Sequence, residues 1–595
     1  MPLATTARGI FHLGKKSFSR IPVEANGIQA NFCKNPACSN YGVPASTKKQ
    51  PRGPGAASRG RDNYTVVGSG RSVPAIHCHH CNEYPPLKSN QGISEELARI
   101  SSYLSIEEVC CPNPACVNHA VGVSVSPSAY QSFGKTKSGS PRYRCKKCGK
   151  SFSIKRATTG QKQPHKNKLI FKLLMNKTPF RRICEVADIS EGSLYPKIDF
   201  LHRQCLAFAS DRERKLLDGM AIRRLYVSVD RQDYMVNWSQ RSDKRNTILS
   251  SVGSADNETG YVFGMHLNYD PSLNASEIEE VAISAGDYAV AFPFREHARL
   301  WLQGDYEDAV RRSANPRLNG SLNGQIEDEY DDAVHREDVE SSERITGTRM
   351  LPAKGTQVHS EYTLYGHFFF LHKLFGGVEK VRFFLDQDSG MRAACLAAFQ
   401  PEIAARTCDA FYVRINKDMT VDEKRRTLAD SRREFRQAQK ANPSLSESEV
   451  KLMLIKQRMG NMAEIGKWKD RWLLHPFPNM SEPEKAICYL TDYGDYDTDH
   501  QAWLYNKASM HGIDCFFMQV RRRLSLLERP IASASATGRR WFGYSAYNPE
   551  SIVKLLDIFR VFYNYCLVGS DKKTPAMRIG LAKGSVQLED IIYHQ

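Results

Sequence analysis

Eight cysteines fall into two quartets of matched layout. Cys33-x4-Cys38 is followed by Cys78-x2-Cys81, and Cys111-x4-Cys116 by Cys145-x2-Cys148. Both first halves carry the same phrase, NPACSN at 35–40 and NPACVN at 113–118, so this is an internal repeat. Four thiolates on two tight turns can close a tetrahedron around Zn²⁺, and two such turns joined by strand-forming sequence make a zinc ribbon. We therefore expect two structural zinc ions. His77, His79 and His80 lie close enough in sequence to substitute in the first site, and Cys110 could compete with Cys111 in the second. Alignment of the repeats favours the all-cysteine quartets.

A second chemistry is offered by carboxylates. Asp230 ends the apolar run RRLYVSVD, and Asp386 ends KVRFFLD, with Asp388 two residues on in DQDSG. Glu528 sits in the basic segment RRRLSLLER. Breaking a phosphodiester requires charge neutralisation on both the attacking and leaving oxygens. Two hard cations held by carboxylates from separate elements can supply it. The expected set is Asp230, Asp386 and Glu528 around two Mg²⁺ or Mn²⁺ ions. Asp388 is an alternate for Asp386, and Asp492 or Glu484 could compete for the third role. A strand-end Asp taken alone is more often a turn former.

The charge distribution indicates a polyanionic partner. The 595-residue chain carries a formal charge of +18. Residues 135–184 contain sixteen Lys or Arg and no acid, whereas 325–343 contain nine acids and only Arg336 as a base. An acid-free basic window of that length fits phosphate contact better than a solvated face, which mixes signs. No apolar segment follows the N-terminus as a secretory signal would require, and no run of about eighteen apolar residues exists to span a membrane. The remaining eight of the sixteen cysteines are scattered. The expected setting is a reducing cytoplasm.

These groups must be positioned by several domains, because the chain is too long for one core. We expect a basic arm over 1–30, ribbon one over 31–86, a linker helix within 87–108 and ribbon two over 109–153. Helical periodicity at 166–176, Pro179 opening 179–187, a turn at 188–190 and Ser190 capping 191–205 give helix-turn-helix spacing within 160–215. Pro196 conflicts with a helix starting at 191 and suggests a later start. Strands are expected within 222–270, then a long insertion, 271–356, whose acidic part reads as a solvated excursion. Residues 357–416 supply helix, strand, helix, strand; 417–512 read as a helical insertion, and 513–595 complete the core. The order β-β-β-α-β-α-β is that of an RNase H-like mixed sheet. The expected class is multidomain α+β: two ribbons, a helix-turn-helix and an RNase H-like core with two insertions.

At the residue level the chain resembles bacterial insertion-sequence transposases of the DDE, retroviral-integrase-like type. The resemblance rests on CPNPAC…RYRCKKCGKSFS before the helical group, VSVD, DQDSG, and the tail FYNYCLVGSDKKTPAMRIGLAKG, where Tyr-Asn precedes Thr-Pro-Ala. It covers 109–215, 222–270, 360–415 and 513–585. It implies Mg²⁺-dependent cleavage and strand transfer at transposon ends, with Asp230, Asp386 and Glu528 as the catalytic acids. It also implies double-stranded DNA as partner and a homodimer or higher synaptic assembly.

Candidate phosphate contacts are Arg142, Arg144, Lys146, Lys147, Lys150, Lys155, Arg156, Arg181 and Arg182. Ser193, Lys197 and Arg203 are candidates for base reading. Arg521, Arg522, Arg523, Arg539 and Arg540 could grip DNA beside the acids, or could simply be solvent-facing helix charge. Three other readings compete: a non-catalytic DNA-binding regulator derived from a transposase, a hydrolytic DNA nuclease on the same core, and an RNA-binding ribbon protein, for which no RNA-reading module is evident.

Overall fold

The structure is a computed structural model. It describes residues 19–48, 62–68, 73–105, 109–123, 126–137, 139–154, 157–237, 243–312, 321–336, 338–343, 345–466, 469–528 and 545–594.

Short strands support the cysteine turns. In the first half-repeat β1 (Tyr64–Val67) pairs antiparallel with β2 (Ala75–Cys78); in the second, β3 (Tyr130–Lys135), β4 (Pro141–Cys145) and β5 (Ser151–Ser153) form a three-stranded sheet. Between them α1 (Asn90–Ser101) starts at Ser89, whose hydroxyl accepts from the Gly92 amide. Helix α1 is shorter than the segment expected for the linker.

Three helices follow: α2 (Asn167–Leu174), α3 (Phe180–Ala187) and α4 (Glu191–Leu217). Helix α4 runs well beyond the expected end at 205. Cys205, Phe208, Ala209 and Leu216 continue its buried face. It also passes straight through Pro196, which lies on its exposed side, so the expected later start is not seen.

The main sheet begins with β6 (Leu225–Val236), β7 (Thr247–Asp256) and β8 (Val262–Leu267), an antiparallel meander. Six consecutive residues of β6 are buried, including Ser228 and Asp230, because the sheet is covered on both faces.

The first insertion departs from expectation. After β9 (Tyr269–Asp270) come α5 (Ala275–Ala285), α6 (Gln303–Arg312) and α7 (Leu322–His335), then β10 (Thr356–Gln357), which pairs back onto β9. Its acidic part is folded into the core. Ile326 and Tyr330 are buried, and the Tyr330 hydroxyl donates to Asp470 at 2.6 Å. Asp338 and Glu340 are buried against Lys88 and Lys34 of the first cysteine module. Acid-rich sequence reads as solvated only while its counter-charges, here more than two hundred residues away, remain unknown.

Helix α8 (Ser360–Leu374) leads to β11 (Val381–Asp386). Helices α9 (Ser389–Ala398) and α10 (Gln400–Ala404) then lead to β12 (Cys408–Ile415). Strand β11 lies between β6 and β12 and is parallel to both.

The segment 417–512 is only half helical, which corrects the expectation. Helices α11 (Val421–Ala441) and α12 (Glu447–Met459) are followed by β13 (Ala463–Ile465), β14 (Asp470–Leu474) and β15 (Lys485–Tyr489), which extend the sheet antiparallel beyond β12. Burial drives this: all of β15 is buried, and Trp472 stacks on Tyr412 with ring centroids 6.1 Å apart. The complete order is β13-β14-β15-β12-β11-β6-β7-β8.

After α13 (Thr498–Lys507), α14 (His511–Arg523) packs on β6 and β7, and α15 (Glu550–Tyr565) packs on β8 and α4. In the tail, the Tyr-Asn pair closes the sheet edge: the Asn564 amide both accepts from and donates to the Val262 backbone at 2.9 and 2.8 Å. Thr574 caps α16 (Pro575–Ile579) with Pro575 in its first turn, and α17 (Leu588–Ile592) returns to α4. Among the described residues no helix is long and apolar enough to cross a membrane.

Candidate active site and metal centres

Strand geometry brings two of the expected acids together. β6 and β11 are parallel neighbours with Val229 level with Leu385, so Asp230 and Asp386 leave the sheet side by side. The Lys417 ammonium, just past the end of β12, lies 3.9 Å from a carboxylate oxygen of each. Burial pushes the Asp230 carboxyl well above the usual carboxylate range, Asp386 adds to this, and Lys417 opposes it. The Lys417 ammonium is held above its ordinary value, first by Asp386 and then by Asp230. The arrangement is a tethered cation between two acids.

The third acid that faces this pair is Asp514, which sequence reasoning missed. It sits in the first turn of α14 and is pushed up to about 6, chiefly by burial, with Asp386 and Glu482 adding and Lys417 and Arg521 opposing. Local sequence fixes its position. The α14 backbone docks on the β6–β7 pair: Gly512 N–H donates to Asn257 at 2.8 Å and Ile513 N–H to Ser228 Oγ at 3.0 Å. Two glycines permit the approach. A Cβ on Gly253, directly opposite Asp230, would lie 2.7 Å from Ile513 Cδ1, and one on Gly512 would lie 2.7 Å from Asn257 Oδ1.

The other candidate acids are placed elsewhere. Glu528 is not on a helix; it follows the short 3-10 turn Ser525–Leu527 and pairs with Lys177 at 2.7 Å, tying this segment to the α2–α3 connection. Asp388 caps α9 by accepting from Met391 N–H at 3.0 Å and pairs with Arg231 at 2.8 Å, which leaves Asp386 as the available member of DQDSG. Glu484 accepts from the Asn416 amide at 2.8 Å, and Asp492 accepts from Gly494 N–H within its own turn. Asp230 and Asp386 open onto a polar cavity of about 440 Å³, whose walls also carry Arg231, Arg336, Arg349 and Arg414.

Each cysteine quartet has all four sulfurs mutually within 4.8 Å. Cys33–Cys81 and Cys38–Cys78 are 3.4 and 3.7 Å apart; Cys111–Cys148 and Cys116–Cys145 are 3.3 and 3.8 Å apart. These are too long for disulfides. A Zn–S bond of about 2.3 Å gives a tetrahedral edge of about 3.8 Å, so the donor sets fit zinc. The histidine and Cys110 alternatives are not used: His77 is stacked on Tyr84 and His79 contacts Thr65 Oγ1 at 2.7 Å.

The outer shell repeats as well. The motif asparagine donates to a sulfur in both copies, Asn40 to Cys78 at 3.2 Å and Asn118 to Cys145 at 3.3 Å. A tyrosine clasp that sequence reasoning missed is also duplicated. Tyr64 OH accepts from Cys33 N–H and donates to Asn40 O; Tyr130 OH accepts from Cys111 N–H and donates to Asn118 O. Donors to sulfur outweigh burial at Cys145, brought down to about 6, and at Cys78, brought to about 7, whereas burial leads in pushing Cys33, Cys81 and Cys111 up.

The basic candidates are spread over two surfaces. Arg144, Lys146, Lys147 and Lys150 are exposed around the second quartet, and Arg142 lies over Phe133 at 5.1 Å. Arg181, Arg182, Arg203 and Arg522 are exposed, Ser193 and Arg521 half-buried. Lys197 is not a base reader. It is buried, donating to Asn167 at 2.6 Å and to the Lys162 carbonyl at 2.8 Å. Lys155, Arg156, Arg539 and Arg540 lie outside the described residues.

Comparison with models of known protein families returns no match, and comparison with curated proteins returns none either.

Proposed function

We propose that the chain is a DDE-type DNA transposase with an RNase H-like core. On this reading Asp230, Asp386 and Asp514, rather than Glu528, are its catalytic carboxylates. The observation that carries the reading is the side-by-side placement of Asp230 and Asp386 from β6 and β11 on one polar cavity, with Asp514 of α14 near enough to interact electrostatically with both. The strand order β8-β7-β6-β11-β12, with an antiparallel meander and two parallel neighbours, supports the core assignment. Mg²⁺ or Mn²⁺ at these oxygens would supply charge neutralisation for attack on a phosphodiester. Asp230 and Asp386 fit a cation, since an ammonium already lies between them. Lys417 must withdraw for them to bind one. Arg231, Arg336, Arg349 and Arg414 hold phosphate against the acids, and the exposed bases of the second cysteine module and of α3 position double-stranded DNA. Helices α2, α3 and α4 act as the helix-turn-helix, with Ser193 and Arg203 at the reading face. The active form is a homodimer or larger synaptic complex, because two ends must be joined.

The bridging Lys417 favours a second reading, a DNA-binding regulator whose acids are kept neutralised. One experiment separates them. The purified chain, with Mg²⁺ or Mn²⁺, is offered the DNA that flanks its own gene. Cutting and joining of strands, lost in Asp230→Asn, Asp386→Asn and Asp514→Asn but retained in Glu528→Gln, is the expected result. Cutting without joining supports a nuclease. Binding without either supports the regulator and overturns the proposal. Loss in Glu528→Gln with retention in Asp514→Asn restores the original triad.

A further inference from the structure

Outside the cysteine quartets, the described residues contain one further group of metal-ligand side chains that closes tightly. Glu343, His359 and Glu361 each bring a donor atom within 4.8 Å of the other two. They come from the end of the first insertion and the start of α8. His359 and Glu361 are fully interior, at 4% and 3% exposure. The His359 Nδ1 to Glu361 Oε1 distance is 3.8 Å. That is too long for a hydrogen bond.

Two observations point to a missing positive group. His359 Nε2 and Glu361 Oε2 are buried with no hydrogen-bond partner among the described residues, and the neighbouring Ser342 Oγ, Gln357 Oε1 and Ser360 Oγ are also unsatisfied. Buried polar atoms are rarely left so. Carboxylates also crowd the site: Lys88 faces Asp338, Glu340 and Glu361, Lys34 is paired with Glu340, and Arg231, itself paired with Asp388, acts on Glu343.

Glu343 is already oriented as a ligand would be. Asn268 Nδ2 and Trp301 Nε1 donate to its two oxygens at 2.7 and 2.6 Å, and the Trp301 ring lies 3.9 Å from that of His359. Such supporting donors are what fix metal-binding carboxylates.

We propose that Glu343, His359 and Glu361 form a third structural metal site, for a divalent first-row ion bound by one imidazole and two carboxylates. The donor set is harder than the cysteine quartets and suits Zn²⁺, Mn²⁺ or Fe²⁺. The ion adds positive charge among these carboxylates and joins the first insertion to α8 at the wall of the polar cavity, which Glu343 lines. The site is independent of any role for Asp230, Asp386 and Asp514.

The test is Co²⁺ titration of the metal-stripped full chain under reducing conditions. Thiolate-bound Co²⁺ absorbs strongly in the near-ultraviolet, whereas a site of nitrogen and oxygen does not. We expect two equivalents that raise near-ultraviolet absorbance and one further tight equivalent that adds only weak visible bands. Ions at Asp230 and Asp386 are kept from the count by repeating the titration in Asp386→Asn. In Glu361→Gln, an isosteric change, and in His359→Ala, the further equivalent should be lost or weakened at least tenfold, with both thiolate sites intact. Retention of that equivalent in Glu361→Gln overturns the proposal, as does a wild-type chain that saturates at two.

Discussion

At the scale of single residues, function turns on which carboxylate completes the set at Asp230 and Asp386. Asp514 gives a pH signature. Its folded pKa, about 6, lies above the ordinary value of 3.8, so between those limits the folded chain holds a proton that the unfolded chain has released. Stability from this group is therefore present at low pH and lost as pH rises through about 6. A divalent cation competes with that proton. The rise in melting temperature caused by Mg²⁺ or Mn²⁺ should be absent near pH 5 and grow through pH 6 to 7, and Asp514→Asn should reduce it across the range. An equal cation effect at pH 5 and pH 7 would remove Asp514 from the site. Lys417→Met should tighten cation binding, because the incoming ion no longer displaces a tethered ammonium; isothermal titration measures this. At the cysteine centres, Asn118→Ala removes the amide donor to Cys145 Sγ and should weaken zinc retention about 10- to 100-fold against a chelator.

At the scale of elements, the acids are placed by close packing of α14 on β6 and β7. Gly512→Val forces a side chain into Asn257 and Ser228 and should lift the helix N-terminus, removing the cation response while the chain remains folded by circular dichroism. The first insertion is held by buried charge. Glu340→Ala strands Lys34, and with it part of the Lys88 network, and should cost about 3–5 kcal/mol in denaturant unfolding. These same elements mark how far the sequence could be read. The quartets were legible because ligand spacing is local, and the apolar runs reaching Asp230 and Asp386 because an acid closing such a run is conspicuous, although β6 continues past Asp230 to Val236. Asp514 was not, although Ile513, Phe516, Phe517 and Val520 have helical spacing, because it stands beside no acid-terminated apolar run and its approach to Asp386 depends on how α14 docks on the sheet. Glu528 attracted attention through neighbouring arginines, yet its partner is Lys177 of the helical group. The three edge strands within 463–489 were hidden behind the charged helices α11 and α12. The acidic insertion looked solvated because Lys34 and Lys88 lie far away in sequence.

At the scale of the whole molecule, the two cysteine modules are built into the protein differently. The first is bound to the core: Lys34 pairs with Glu340, and Tyr41 OH donates to the Leu396 carbonyl at 2.7 Å. The second has its own small cluster of Cys111, Cys116, Val123, Tyr130 and Cys145, with exposed bases around it. Chelation should therefore act in two stages. Loss of zinc from the second quartet should release a segment to proteolysis with the main melting transition unchanged, and loss from the first should lower that transition. A single simultaneous transition at every chelator concentration would contradict this. The repeat also carries a historical consequence. Along Cys33–Tyr41 and Cys111–His119 the ion-holding positions coincide, but Lys34 is matched by Pro112 and Tyr41 by His119. What the copies share is the grip on the ion; what differs is the means of attachment to the rest of the protein. The duplicate segments thus parted roles after doubling: one became masonry, and the other kept an outward face.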